Sequence, residues 1–176
     1  MRGEVIAAPA RWAGALRTTT VASGTLVLVA LGDHFLSFPL IFTALGPTAY
    51  QLCFQPDQET SRLRNAVVGH SVAILSGMAA LAIFGLWSAP PLVLTGPASL
   101  GRVGAVGVAI AATLLILEVT RRHHAPAGTT ALLIATGLAS PGRRLVGLCL
   151  GLLTVIVLTS VTTCLFSRAV SARSGG

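Results

Sequence analysis

The sequence predicts an all-α, polytopic transmembrane helical bundle, arranged as a 3+3 inverted repeat with two short broken helices. Three observations predict it. Of 176 residues, 53% are hydrophobic and only 10% are charged, with a mean hydropathy of +0.83. The charges fall between long apolar runs rather than along them. Two of those runs are interrupted by proline near a glycine. Soluble domains carry roughly 25% charged residues, and a soluble chain this apolar would lack the polar atoms to cover itself. Lipid removes that requirement.

The elements follow in chain order from runs of about 20 apolar residues, the length that spans a bilayer. Residues 16–36 form the first span, with Asp33 near its boundary. Arg11 and Arg17 precede this run and Ala30-Leu31-Gly32 closes it, a leader-like pattern. Because further apolar runs follow, it reads as a retained span. Residues 39–54 hold Gly46-Pro47 near their middle and read as a broken approach followed by a short helix. Residues 65–88 form a full-length helix, and the Pro- and Gly-rich stretch 88–99 reads as a loop. Residues 100–120 span if Arg102 and Glu118 snorkel at the two ends. Residues 126–140 begin with Pro126 and read as the second short helix, with proline in its first turn. Residues 145–167 complete the set.

The two halves resemble each other. Gly46-Pro47-Thr48-Ala49 lies over Gly128-Thr129-Thr130-Ala131, and Val68-Gly69 lies over Val146-Gly147. Small residues four apart then follow in both long helices: Gly69, Ala73 and Gly77 in one, Gly147 and Gly151 in the other. Such spacing lets helix backbones approach closely. The expectation is one membrane domain over 1–176, with repeat 1 at about 16–88, a linker at 89–99 and repeat 2 at about 100–167.

All 12 basic residues are arginines and the net charge is +7. A nucleic-acid surface would need them clustered on one solvated face; here they punctuate apolar runs, which fits topology signals and anionic headgroups. With six crossings and a cytoplasmic N-terminus, Arg2, Arg11, Arg17, Arg62, Arg64, Arg121, Arg122, Arg168 and Arg173 lie inside, against Arg102, Arg143 and Arg144 outside. With four crossings and two re-entrant short segments, the balance is even. Positive charge inside therefore favours six crossings, in a cell (inner) membrane.

Ionisable groups within membrane spans point to function. His70 lies inside the 65–88 helix, and His124, two residues before Pro126, sits at the mouth of the second short helix. Each is a candidate proton or anion ligand; the competing readings are a packing histidine and an interfacial cation. Helix N-termini present unpaired N–H groups and partial positive charge, to which anions bind. Broken helices in many transporters aim such ends at the substrate. Gly46 and Thr48 stand at one start, Gly128, Thr129 and Thr130 at the other. No G-x-S-x-G and no phosphate-binding loop with lysine occurs, so no enzyme is expected. Cys53, Cys149 and Cys164 lie in apolar surroundings away from ligand spacing, so no metal and no cofactor are expected.

Three stretches carry a family resemblance. His124-Ala125-Pro126-Ala127-Gly128-Thr129-Thr130-Ala131-Leu132 resembles the His-Pro-Pro-Ala-Gly signature of the HPP family of membrane proteins. Leu45-Gly46-Pro47-Thr48-Ala49 resembles its Phe-Gly-Ala-Ser/Thr-Ala segment, and Arg64-Asn65-Ala66-Val67-Val68-Gly69-His70 resembles its Pro-Arg-Asn-Val-Val-Gly-Gly-His segment. The three occur in the family's order. Ala125 stands for the first signature proline, Thr129 and Pro47 each replace an alanine, and a valine replaces one glycine before His70. The resemblance implies a multi-helix membrane protein and, for some members in plastids and photosynthetic bacteria, nitrite transport. The expected activity is a transporter or channel for a small inorganic anion, nitrite or a similar oxyanion. Its candidate binding set is Gly46, Thr48, Asn65, His70, His124, Gly128, Thr129 and Thr130. The expected partners are that anion, the lipid bilayer and, for a bundle this small, further copies of the chain; nucleic acid is not among them. The alternative is a structural or partner-binding membrane protein without cargo.

Overall fold

A computed structural model describes the backbone of residues 8–174 and the side chains of residues 12–165. Among the described residues the chain is entirely helical: α1 Ala8–Leu36, α2 Leu45–Phe54, a 3-10 turn Glu59–Ser61, α3 Leu63–Ile83, α4 Leu92–Thr95, α5 Leu100–Val119, α6 Pro126–Ala135 and α7 Arg143–Ser174. Four stretches are long and apolar enough to cross a membrane: Trp12–Leu36, Leu63–Ile83, Leu100–Val119 and Arg143–Leu165. The first, third and fourth follow the expected boundaries closely. Leu63–Ile83 begins earlier than its run and ends before it, because Phe84 and Gly85, with φ of 65° at Gly85, turn the chain out of the helix.

The two short helices are ten residues each, about 15 Å against a hydrocarbon core of about 30 Å. Each is lengthened by what precedes it. The non-helical stretch 38–44 lies along the first turns of α7, where the carbonyls of Pro39 and Leu40 rest on Gly147 and Gly151. Leu52 then meets Ile156, and Pro56 borders a cavity with Ser160. From Gly147 to Ser160 this segment follows α7 for about 20 Å at 1.5 Å per residue. The α6 segment runs parallel to α3: a Cβ on Gly69 would stand 2.8 Å from that of His124, and one on Gly77 would stand 2.8 Å from that of Ile134. The small-residue stripes read from the sequence thus receive the approaches to the short helices.

The helices pack as two trios. α1, α2 and α7 contact one another, and so do α3, α5 and α6. Each trio takes two consecutive helices and borrows its third from the other half of the chain. The α3/α5/α6 seam is almost all alanine: Ala73, Ala80, Ala105, Ala109, Ala127, Ala131 and Ala135 are buried there with Leu117. A second core joins the trios, with Leu45, Leu148, Leu152 and Val155 from one packing on Leu81, Leu133 and Ile134 from the other. Large apolar side chains such as Leu28, Leu75, Leu115 and Leu153 face outward, as lipid contact requires.

The connections are held by side chains the sequence left ambiguous. Asp33 accepts from the N–H groups of Leu40 (2.7 Å) and Ile41 (3.3 Å), closing the turn after α1. Arg143 donates to the Ser37 carbonyl and stacks over Phe38, 5.0 Å from its ring centre. The 88–99 stretch, expected as pure loop, contains the single turn α4. Arg102 does not snorkel as expected. It is buried, donating to the carbonyls of Ala135 at 3.0 Å and Pro90 at 2.8 Å. The last carbonyls of a helix have no partners within it, and the guanidinium supplies donors at the end of α6.

Candidate functional site

The polar centre of the molecule lies where α2, α3 and α6 converge. His70 is buried on α3, with Nε2 3.1 Å from Thr48 Oγ1 of α2 and Nδ1 2.9 Å from Thr130 Oγ1 of α6. His124, also buried, sets its Nε2 3.2 Å from His70 Nε2, and its Nδ1 lies 3.1 Å from the Thr60 carbonyl. The two rings meet edge to face with centres 4.9 Å apart. Gly69 makes this possible, since any side chain there would strike His124.

The network fixes the tautomers, which are assigned from partners rather than from observed protons. A carbonyl only accepts, so His124 carries its proton on Nδ1 and its Nε2 is an acceptor. His70 therefore carries its proton on Nε2, because two lone pairs would otherwise face each other. The Thr48 hydroxyl donates to Ala44 O at 2.7 Å and so accepts from His70. Thr130 donates to His70 Nδ1. With both rings neutral every one of these groups has a partner, as a low-dielectric interior demands. One added proton fits at His70 Nδ1 if the Thr130 hydroxyl turns; a second would set two N–H groups against each other. Among the described residues no third His, Cys, Asp or Glu joins the pair to hold a metal ion.

Beside this centre, on the seam between the trios, is an open groove of about 640 Å³ bordered by Gly46, Pro47, Tyr50, Gln51 and Gln55 of α2 and its end, Gln58 and Thr60 after it, and Ala125, Pro126 and Thr129 at α6. The starts of both short helices thus face one space. In the first turn of α2 the Leu45 N–H is bonded to Phe42 O and that of Thr48 to Ala44 O, while proline lacks one, leaving the donor of Gly46. The α6 start differs from expectation. Ala125 is already helical, with φ −55° and ψ −38°, so the N–H groups of Ala127 and Gly128 turn back onto His124 O and Ala125 O. Gly128 therefore offers no free donor, and the Thr129 hydroxyl is bonded to Pro126 O at 2.7 Å.

The eight candidate residues divide into three groups. Thr48, His70, His124 and Thr130 form the buried cluster, and Gly46 and Thr129 line the groove. Asn65 and Gly128 belong to neither. Asn65 is a brace: it donates to Glu59 O at 2.9 Å and accepts from Arg122 at 3.3 Å, tying the 3-10 turn to the chain before α6. Sequence reasoning missed Gln51 and Thr60. Gln51, polar amid Tyr50, Leu52 and Cys53 one turn beyond Thr48, was visible as an amide in an apolar helix; the Thr60 carbonyl gave no signal.

A helical bundle with lipid-facing leucines and a buried polar centre defines an integral membrane protein. A family model described as HPP, transmembrane region, matches residues 7–174, and the chain belongs to the HPP family. No curated protein and no solved structure matches it.

Proposed function

We propose that this protein is a transporter or channel for a small inorganic anion, with nitrite or a similar oxyanion as cargo. The observation that carries this reading is the single groove bordered by the starts of both short helices. Partial positive charge at a helix start attracts an anion without a full counter-charge. The groove lining holds no charged side chain, so the anion is held weakly enough to leave, as conduction requires. The adjoining histidine pair, able to take one proton, would couple passage to proton movement by adding a positive charge beside the groove.

The same reading extends to topology. The two trios, each completed by a helix from the other half, suit an inverted repeat of three plus three segments. Arg102 donates to carbonyls inside the bundle, so Arg143 and Arg144 are the two arginines that stand outside it on the side that carries few. The arginine asymmetry is the one expected for a cytoplasmic N-terminus in a cell membrane.

The test is flux into proteoliposomes with nitrite, nitrate, formate and chloride. Saturable nitrite entry above empty vesicles is expected, and no entry of any of the four would remove the proposal. The rival, a structural membrane protein without cargo, is favoured by one feature: the histidine centre is closed by its own hydrogen bonds. It predicts that null result.

A further inference from the structure

We propose that Gln51 is a ligand-binding residue of the groove, its side-chain amide contacting a small planar oxoanion held against the Gly46 N–H. This deepens the transport reading and rests on it.

Gln51 is 7% exposed, and among the described residues its Oε1 is the one buried side-chain polar atom without a hydrogen-bond partner. Its neighbours do not need it. The Gln51 backbone carbonyl already accepts from Ser61 Oγ at 3.0 Å and from the Gln55 N–H at 3.1 Å, while Gln51 also borders the groove. An amide oxygen kept from water with no partner is costly, and a leucine of similar size would fit α2 without that cost. Such an unpaired group in an otherwise satisfied interior points to a partner that comes and goes.

The surroundings define the class of that partner. On one side of the groove stands Pro47 and on the other Ala125 and Pro126, so the flanks are carbon. Polar groups border it from α2 and its end (Gly46, Gln51 and Gln55), from the segment after it (Gln58 and Thr60) and from α6 (Thr129). A flat anion carries its lone pairs in its plane and presents poorly hydrated faces, which matches the prolines beside the Gly46 N–H and the Gln51 amide. A tetrahedral phosphate would need donors on all sides. Because the amide oxygen and nitrogen interchange by a half-turn, Gln51 can donate to the anion or accept from its protonated form.

The experiment uses the purified full chain and three variants: Gln51→Leu, Gln51→Asn and Gln51→Glu. Two readouts are taken: nitrite flux over a concentration series in proteoliposomes, and thermal unfolding with and without nitrite. Gln51→Leu is expected to unfold at the same temperature as the parent or higher, to lose the rise in Tm that nitrite gives the parent, and to raise the apparent KM at least tenfold. Gln51→Asn should fall between the two, and Gln51→Glu, similar in shape but negative, should abolish the nitrite effect. Parent-like KM and Tm response in Gln51→Leu would overturn the assignment, as would a lowered Tm in Gln51→Leu without nitrite, which would make the amide structural. Failure of the parent itself to move nitrite, nitrate, formate or chloride would instead sink the transport reading on which this assignment rests.

Discussion

The two short helices start in the same groove but are held there by opposite means. α2 is entered by extended backbone: the Pro39 and Leu40 carbonyls lie directly on Gly147 and Gly151 of α7. α6 is entered by a side chain: His124 packs on Gly69 of α3 and reaches Thr60 and His70 through its two nitrogens. One approach is neutral and rigid. The other is polar and depends on the hydrogen bonds of His124. The same small-residue device therefore seats both helix starts, one through backbone and the other through a side chain. A membrane interior tolerates irregular backbone only where it is buried in protein, and the glycines are what bury it.

The comparison predicts unequal costs. The largest belongs to Gly147→Ala, whose Cβ would overlap the Pro39 carbonyl, an atom with no freedom to retreat. Overpacking costs about 1–3 kcal/mol, occasionally more, and this variant should yield little monodisperse protein in size-exclusion chromatography. Gly69→Ala would set its Cβ 2.8 Å from that of His124, a milder overlap than the one with the Pro39 carbonyl, so its drop in Tm should be smaller than that of Gly147→Ala. Equal damage at the two positions would erase the distinction between a backbone and a side-chain entry.

A smaller effect separates the two threonines on His70. Thr130 is the donor to Nδ1, so Thr130→Val strands that nitrogen and should cost about 1 kcal/mol, between the mean of about 0.6 and the maximum of about 1.7 kcal/mol measured for membrane-buried hydrogen bonds. Thr48→Val leaves His70 Nε2 still bonded to His124 and should cost less. Thermal unfolding ranks the pair. Nitrogen-15 spectra should give the Nε2–H tautomer for His70 and the Nδ1–H tautomer for His124 in the parent protein; the reverse assignment would contradict the network.

Much of the fold could be read along the chain because lipid imposes a simple rule of length and hydropathy. The four long helices and both proline-marked short ones stood out for that reason. The pairing of helices did not. Nothing in a one-dimensional pattern says that α3 leaves its own half to pack with α5 and α6, since alanine-rich faces fit many partners equally. Arg102 misled for a related reason: a charge near a helix end looks like a snorkelling residue until the helix ending beside it supplies carbonyls. His70 and His124 were legible as rare ionisable groups in apolar runs, but their contact across 54 residues was not. Gln51 carried a weaker signal, because a neutral amide costs less in an apolar helix than a charge does.

The central claim is that the groove shared by the two helix starts is wet and takes an anion. It is tested most directly by Thr129→Cys in a chain whose Cys53, Cys149 and Cys164 are replaced by alanine. A water-soluble, membrane-impermeant thiol reagent is predicted to label Thr129→Cys in proteoliposomes, and nitrite is predicted to slow the reaction. Labelling confined to membrane-soluble reagents and indifferent to nitrite would mean a groove filled with acyl chains, and would contradict the account.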